Sequence, residues 1–94
     1  MTSPHPAESR ARDELRTVLM NPPDDPGVLR SRMVDVLSEL CHAPFERWPQ
    51  CAVELRHIML AHPETDKTQR PAREWMWSRL STIEKMQYRK TNKF

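Results

Sequence analysis

Residues 25–42 read DPGVLRSRMVDVLSELCH and carry the clearest amphipathic helix pattern in the chain. Asp25 directly precedes Pro26, an order typical of a helix start: an aspartate accepts hydrogen bonds from free first-turn N–H groups, and a proline there needs no donor. The apolar residues that follow at helical spacing are Leu29, Met33, Val36, Leu37, Leu40 and Cys41. Val34 lies off this stripe. We therefore predict a helix over residues 26–42.

Prolines mark segment boundaries along the whole chain: the nine prolines fall between the periodic segments and at their starts. Proline is tolerated in a helix only in its first turn. This predicts further helices over residues 4–20, 49–62 and 71–90. Ser3 is the expected cap of the first helix, and Pro49 predicts a break near Trp48. We expect the tail, residues 91–94, to be mobile.

Composition favours the same fold class. The 94 residues are enough for one domain. Gly27 is the only glycine, and hairpin turns depend on glycine, so a β architecture is disfavoured. The prediction is an all-α fold: a small four-helix bundle, or three helices with a loosely attached first helix, joined by proline-bearing loops.

Cysteine and histidine do not form a recognisable site in the sequence. Cys41 and Cys51 are ten residues apart, and no C-x-x-C or H-x-x-x-H spacing accompanies them. Both lie on apolar stripes, so we expect buried thiols. A Cys41–Cys51 bridge is geometrically possible but is not expected in a reducing compartment.

The sequence also lacks the patterns that would indicate catalysis or a cofactor. Cys–His pairs can be drawn, yet none is singled out as a nucleophile with its base. We expect no enzyme activity, no metal and no cofactor. No apolar run has the length of a membrane span and the N-terminus has no signal core, so we expect a cytoplasmic protein.

Charge is distributed unevenly. Residues 65–94 contain eight Lys/Arg and three Asp/Glu, whereas residues 1–64 contain seven and ten. A basic end can bind nucleic acid or an acidic protein surface. The nucleic-acid alternative would use these cations for phosphate contacts: Arg70, Arg73, Arg79, Lys85, Arg89, Lys90 and Lys93. Trp77 or Tyr88 would stack on bases.

The fourth segment, residues 71–90, has an unusually wide apolar arc. Ala72, Met76, Leu80 and Ile83 form its central face, while Trp75 and Trp77 project about 160° apart at the helical period. One neighbouring surface needs a narrower stripe than this. Either the helix packs against several others, or part of the arc contacts another chain.

Aromatic, methionine and arginine side chains are enriched at protein interfaces. We therefore predict a small regulatory protein that binds and blocks or sequesters a larger protein partner, such as an antiactivator of a transcription factor, and that forms a homodimer. A phage-type inhibitor of a host complex is an equal alternative. The predicted contact residues are Arg73, Trp75, Met76, Trp77, Arg79, Leu80, Lys85, Met86 and Tyr88.

Overall fold

A computed structural model describes residues 5–86 with their side chains and carries the backbone of the last helix on to residue 91. Four helices are present: α1 (Pro6–Met20), α2 (Pro26–Leu40), α3 (Trp48–Ala61) and α4 (Arg70–Thr91). Short 3-10 turns, Phe45–Arg47 and Lys67–Gln69, precede α3 and α4. No strand occurs between residues 5 and 91. The predicted all-α class is confirmed.

The first helix begins two residues later than predicted, because His5 serves as its cap. Its side-chain Nδ1 accepts the N–H of Ala7 at 3.1 Å, and the Glu8 carboxylate accepts the N–H of His5 at 3.0 Å. These reciprocal bonds form a capping box, which satisfies first-turn donors. The predicted cap Ser3 and the predicted start Pro4 lie outside the described residues.

The second helix begins at the predicted Pro26 but ends at Leu40, two residues early. Asp25 caps it by accepting the N–H groups of Gly27 and Val28 at 2.7 and 3.3 Å. Cys41 is the C-cap and keeps helical backbone geometry, with its N–H on the Leu37 carbonyl at 3.1 Å. At the helical period it lies on the same flank as the exposed Val34, and its own side chain is exposed. The prediction of a buried thiol is therefore wrong for Cys41.

Cys51, in contrast, is fully buried in the first turns of α3. Burial is the main cause that raises the pKa of its thiol to about 12. Both cysteines are free. The Cys51 thiol is consequently protonated at neutral pH, a state that is a poor nucleophile.

Pro49 fixes the start of α3 close to the predicted break. It occupies the first turn, where its missing N–H costs no hydrogen bond. The indole of Trp48 donates to the carbonyl of Ala43 at 2.9 Å and packs on the ring of Phe45, with centroids 4.9 Å apart. The link between α2 and α3 is thus held by side chains as well as by backbone.

The helices form a closed ring in the order α1, α2, α4, α3, since each packs extensively against the next. Ion pairs fix the directions: Arg10 with Glu39 makes α1 and α2 antiparallel, because each residue lies near an opposite end of its helix. The pairs Glu8–Arg47 and Arg12–Glu54 make α1 and α3 parallel.

Helix α4 runs antiparallel to α3, since Arg73 near its start binds the Met59 carbonyl near the end of α3. It follows that α2 and α4 are parallel neighbours. The link from α2 to α3 crosses the diagonal of the ring.

The core lies along the axis of this ring and receives side chains from all four helices. Its largest fully enclosed members are Leu15, Leu29, Met33, Leu40, Leu55, Met76 and Leu80. Helix α4 supplies the last two from the centre of its apolar arc. Trp75 and Trp77 pack at the edge of the core and remain partly accessible. The wide arc of α4 therefore matches a helix with two neighbours, α2 on one flank and α3 on the other.

Candidate functional site

Large apolar side chains are exposed at several separate places on the described surface, and one of them, Leu60, lies at the gap between α3 and α4. Leu60 is 66% exposed although it is a large apolar residue, and it lies beside the half-buried Trp77. Two hollows of about 450 and 240 Å³ share these two side chains as walls. We call the surface formed by both hollows the α3/α4 groove.

The end of the groove nearest the start of α4 is rimmed by charge. Arg70 makes a two-pronged contact with Glu64, at 2.8 and 3.3 Å, and this contact lowers the pKa of the Glu64 carboxyl. Arg73 lies deeper and donates to the carbonyl of Met59 at 3.0 Å. Burial lowers the pKa of Arg73. Both arginines are thus committed to contacts within the chain.

The opposite end of the groove is closed by Arg56 of α3. Its guanidinium carbon lies 4.5 Å from the centre of the Trp77 ring, a cation–π arrangement, and its Nη1 donates to Glu84. Lys85 lies exposed just beyond this pair. Trp77 is therefore held in place by Arg56 on one face while the groove beside Leu60 stays open.

On the other flank of α4, two arginines lie over the ring of Trp75. The guanidinium carbons of Arg30 and Arg79 lie 4.7 and 5.4 Å from the centre of its ring. The indole N–H of Trp75 is buried and has no acceptor among the described residues. Leaving such a donor unsatisfied costs about 1–3 kcal/mol. We call these three side chains the Arg30–Trp75–Arg79 cluster.

The structure divides the nine predicted contact residues among different environments. Arg73 and Trp77 line the α3/α4 groove, with Lys85 beyond its end, whereas Trp75 and Arg79 belong to the cluster facing α2. Met76 and Leu80 are fully buried in the core, where no partner reaches them in this structure. Met86 is 37% exposed. Tyr88 lies beyond the side chains that the structure describes.

Sequence reasoning missed three residues that shape these surfaces: Leu60, Arg30 and Arg56. The signal for Leu60 was available, because it lies off the stripe of α3 that its neighbour Met59 belongs to. The two arginines gave no such signal. By sequence position they resemble ordinary solvent-facing residues, and only the fold places each of them over an indole ring of α4.

Within residues 5–86, no group of three or more His, Cys, Asp or Glu side chains that could hold a metal ion occurs. Among the described residues, no helix is both long and apolar enough to cross a membrane. The most buried charged residue, Glu8, accepts two hydrogen bonds from Arg47 at 3.0 and 3.1 Å, and this contact lowers the pKa of its carboxyl. It ties α1 to the turn before α3.

Comparison with known proteins does not assign this chain to a family. No protein-family model matches it, and neither does any curated protein sequence or solved structure. The two surfaces on α4 are therefore the basis for assigning a function.

Proposed function

We propose that this chain is a non-enzymatic regulatory protein that binds a larger protein partner and sequesters it. The α3/α4 groove receives the partner. The observation that supports this proposal best is the exposure of Leu60, at 66%, beside the half-buried ring of Trp77. An apolar centre with an aromatic anchor and a charged rim is the usual composition of a protein interface.

The shape of the groove favours a helical segment as the occupant. Two antiparallel helices form its walls, and from Arg70 to Glu84 it extends for about 21 Å at the rise of an α-helix. An amphipathic helix of about four turns fits that length and presents apolar anchors at i, i+3, i+4 and i+7. A dimerisation helix of a transcription factor has this chemistry, so an antiactivator remains our specific proposal.

Nucleic acid is the second candidate, and the excess of positive charge in residues 65–94 is what favours it. Arg70 and Arg73 count against it, because the first is paired with Glu64 and the second with the Met59 carbonyl. Phosphate contacts would have to break these bonds. Binding through phosphates would also weaken steeply with added salt.

The test is site-specific photo-crosslinking. A benzoylphenylalanine replaces Leu60 in one variant and Met20 in another, because Met20 is also highly exposed, at 69%, but lies at the end of α1. We expect position 60 to cross-link a discrete partner in the host cell and position 20 not to. The partner is then purified and its affinity for the unmodified chain measured by calorimetry.

The affinities of substituted chains for the purified partner test whether the groove is the contact surface. Leu60→Asp is expected to weaken binding at least tenfold, about 1.4 kcal/mol, whereas Met20→Asp stays within twofold. Trp77→Ala should weaken it by more than about 1 kcal/mol while the chain stays helical by circular dichroism. Equal binding by the Leu60 and Met20 variants would refute the groove as the contact. Cross-linking of position 60 to a second copy would instead identify the predicted homodimer interface.

A further inference from the structure

Two arginines from different helices converge on one indole ring. Arg30 of α2 and Arg79 of α4 both lie over Trp75, so their guanidinium carbons are within about 10 Å of each other. Both side chains are exposed at the surface. The fold thus holds two like charges close together by means of a shared aromatic neighbour.

No carboxylate in the described part of the chain is in contact with these charges. None of the ion pairs there includes Arg30 or Arg79, although most other described arginines have an acidic partner. The neighbours three and four residues away on the same helices are not acidic either. These neighbours are Pro26, Gly27, Met33 and Val34 on α2, and Trp75, Met76, Thr82 and Ile83 on α4. A pair of uncompensated guanidiniums attracts an oxyanion.

The indole N–H of Trp75 supplies an independent indication of a missing acceptor. It is a buried donor without a partner, and native proteins rarely leave such donors unsatisfied. The Arg30–Trp75–Arg79 cluster thus contains donors from three side chains and no acceptor of its own.

Apolar side chains continue the two helices beyond the cluster. The next turns of α2 carry the exposed Val34 and the partly buried Leu37, and the next turn of α4, which is parallel to α2, carries the partly buried Ile83. A nucleic-acid backbone would need further free cations in a row, yet the next arginine towards the start of α4, Arg73, lies on the opposite flank and is engaged. A carboxylate followed by an apolar side chain fits this surface better.

We propose that the Arg30–Trp75–Arg79 cluster binds an acidic peptide segment, with its carboxylates on the Arg30 and Arg79 guanidiniums and an adjacent apolar side chain on Val34. This site lies on the α2 flank of α4, apart from the α3/α4 groove, and does not depend on the function proposed for that groove.

The experiment is an NMR titration of the ¹⁵N-labelled chain, followed at the indole N–H resonance of Trp75. The probe is an N-acetylated hexapeptide of aspartate, glutamate and leucine, and its control is the matched asparagine, glutamine and leucine peptide. We expect the acidic peptide to shift the resonance saturably and the amide peptide to bind at least tenfold more weakly. Combined Arg30→Gln and Arg79→Gln substitutions should weaken binding of the acidic peptide at least tenfold.

The matched control is Arg32→Gln, which removes an exposed arginine of α2 that lines the groove facing α1. It should change the affinity less than twofold. Equal binding of the two peptides, or an equal loss in Arg32→Gln, would overturn the proposal. Tighter binding of a 12-nucleotide single-stranded DNA through Arg30 and Arg79 at the same salt would also overturn it. If the double variant fails to fold, the peptide comparison on the unchanged protein still decides the question.

Discussion

Glu8 shows how one side chain can serve two elements. Its carboxylate accepts the backbone N–H of His5, which completes the cap of α1, and two N–H groups of Arg47, which secure the turn before α3. The residue is completely enclosed, while the Arg47 side chain is 43% exposed. An enclosed carboxylate is tolerated because its hydrogen bonds and its partner's charge compensate the loss of water.

This arrangement predicts acid sensitivity at a single position. The Arg47 contact lowers the pKa of Glu8 below its ordinary value of 4.5. The stabilisation is therefore present in full above about pH 4.5 and is lost as the pH falls through the folded-state pKa. Glu8→Gln should lower the free energy of unfolding at pH 7 by about 1–3 kcal/mol. Urea denaturation at several pH values measures the difference between the two proteins, which we expect to shrink towards pH 3.

The matched control for this prediction is Glu46→Gln, an exposed position in the same short turn. Its effect should be small at every pH. A Glu8→Gln difference that stayed constant from pH 7 to pH 3 would contradict the assigned role.

At the scale of the helices, proline and its neighbours determine most of the boundaries. Asp25 illustrates this, because it accepts two first-turn N–H groups of α2 and has Pro26 directly after it. Asp25→Ala should lower the free energy of unfolding by about 1 kcal/mol, the usual effect of losing a helix cap. Asp24→Ala, one residue earlier and also exposed, should stay within about 0.5 kcal/mol. Thermal denaturation of both variants tests this, and equal effects would mean that general charge and not capping is responsible.

Proline positions and helix caps are local signals, and they explain why the number and approximate bounds of the helices could be predicted from the sequence. Four apolar-periodic segments bounded by prolines gave four helices, and α2 starts at the expected residue. Competition between local signals explains the errors. His5 is the cap of α1, and α2 ends at Leu40 with the exposed Cys41 as its C-cap. The spacing of apolar residues alone does not show where the backbone hydrogen bonds of a last turn will end.

Tertiary placement explains why the candidate site was only partly predictable. The sequence indicated that Trp75 and Trp77 point in very different directions, but not which neighbour each would meet. The ring of helices puts α2 beside the first and α3 beside the second, and each neighbour contributes an arginine to the indole. Leu60 became part of the surface because α3 and α4 are antiparallel neighbours, which is a property of the whole ring.

At the scale of the whole molecule, the described side chains at the centre of the α4 arc are buried within one chain, and those at its edges remain accessible. Met76 and Met86 provide a matched pair for testing this, because the same residue type on the same helix is 0% exposed at one position and 37% exposed at the other. Met76→Ala should lower the free energy of unfolding by about 2–5 kcal/mol, since it removes a core side chain and leaves a cavity. Met86→Ala should change it by less than about 0.5 kcal/mol.

The dependence of the urea midpoint on protein concentration distinguishes two cases: a core formed within one chain, and a core that a second copy of the chain completes. In a monomer the urea midpoint of either variant is independent of concentration, whereas in an obligate dimer it rises with concentration because association and folding are coupled. We expect no such rise for Met76→Ala. A Met86→Ala loss as large as that of Met76→Ala, together with a concentration-dependent midpoint, would mean that the end of α4 is buried against a partner chain. The predicted homodimer would then be part of the fold, and the edges of the α4 arc would not be free to receive another protein.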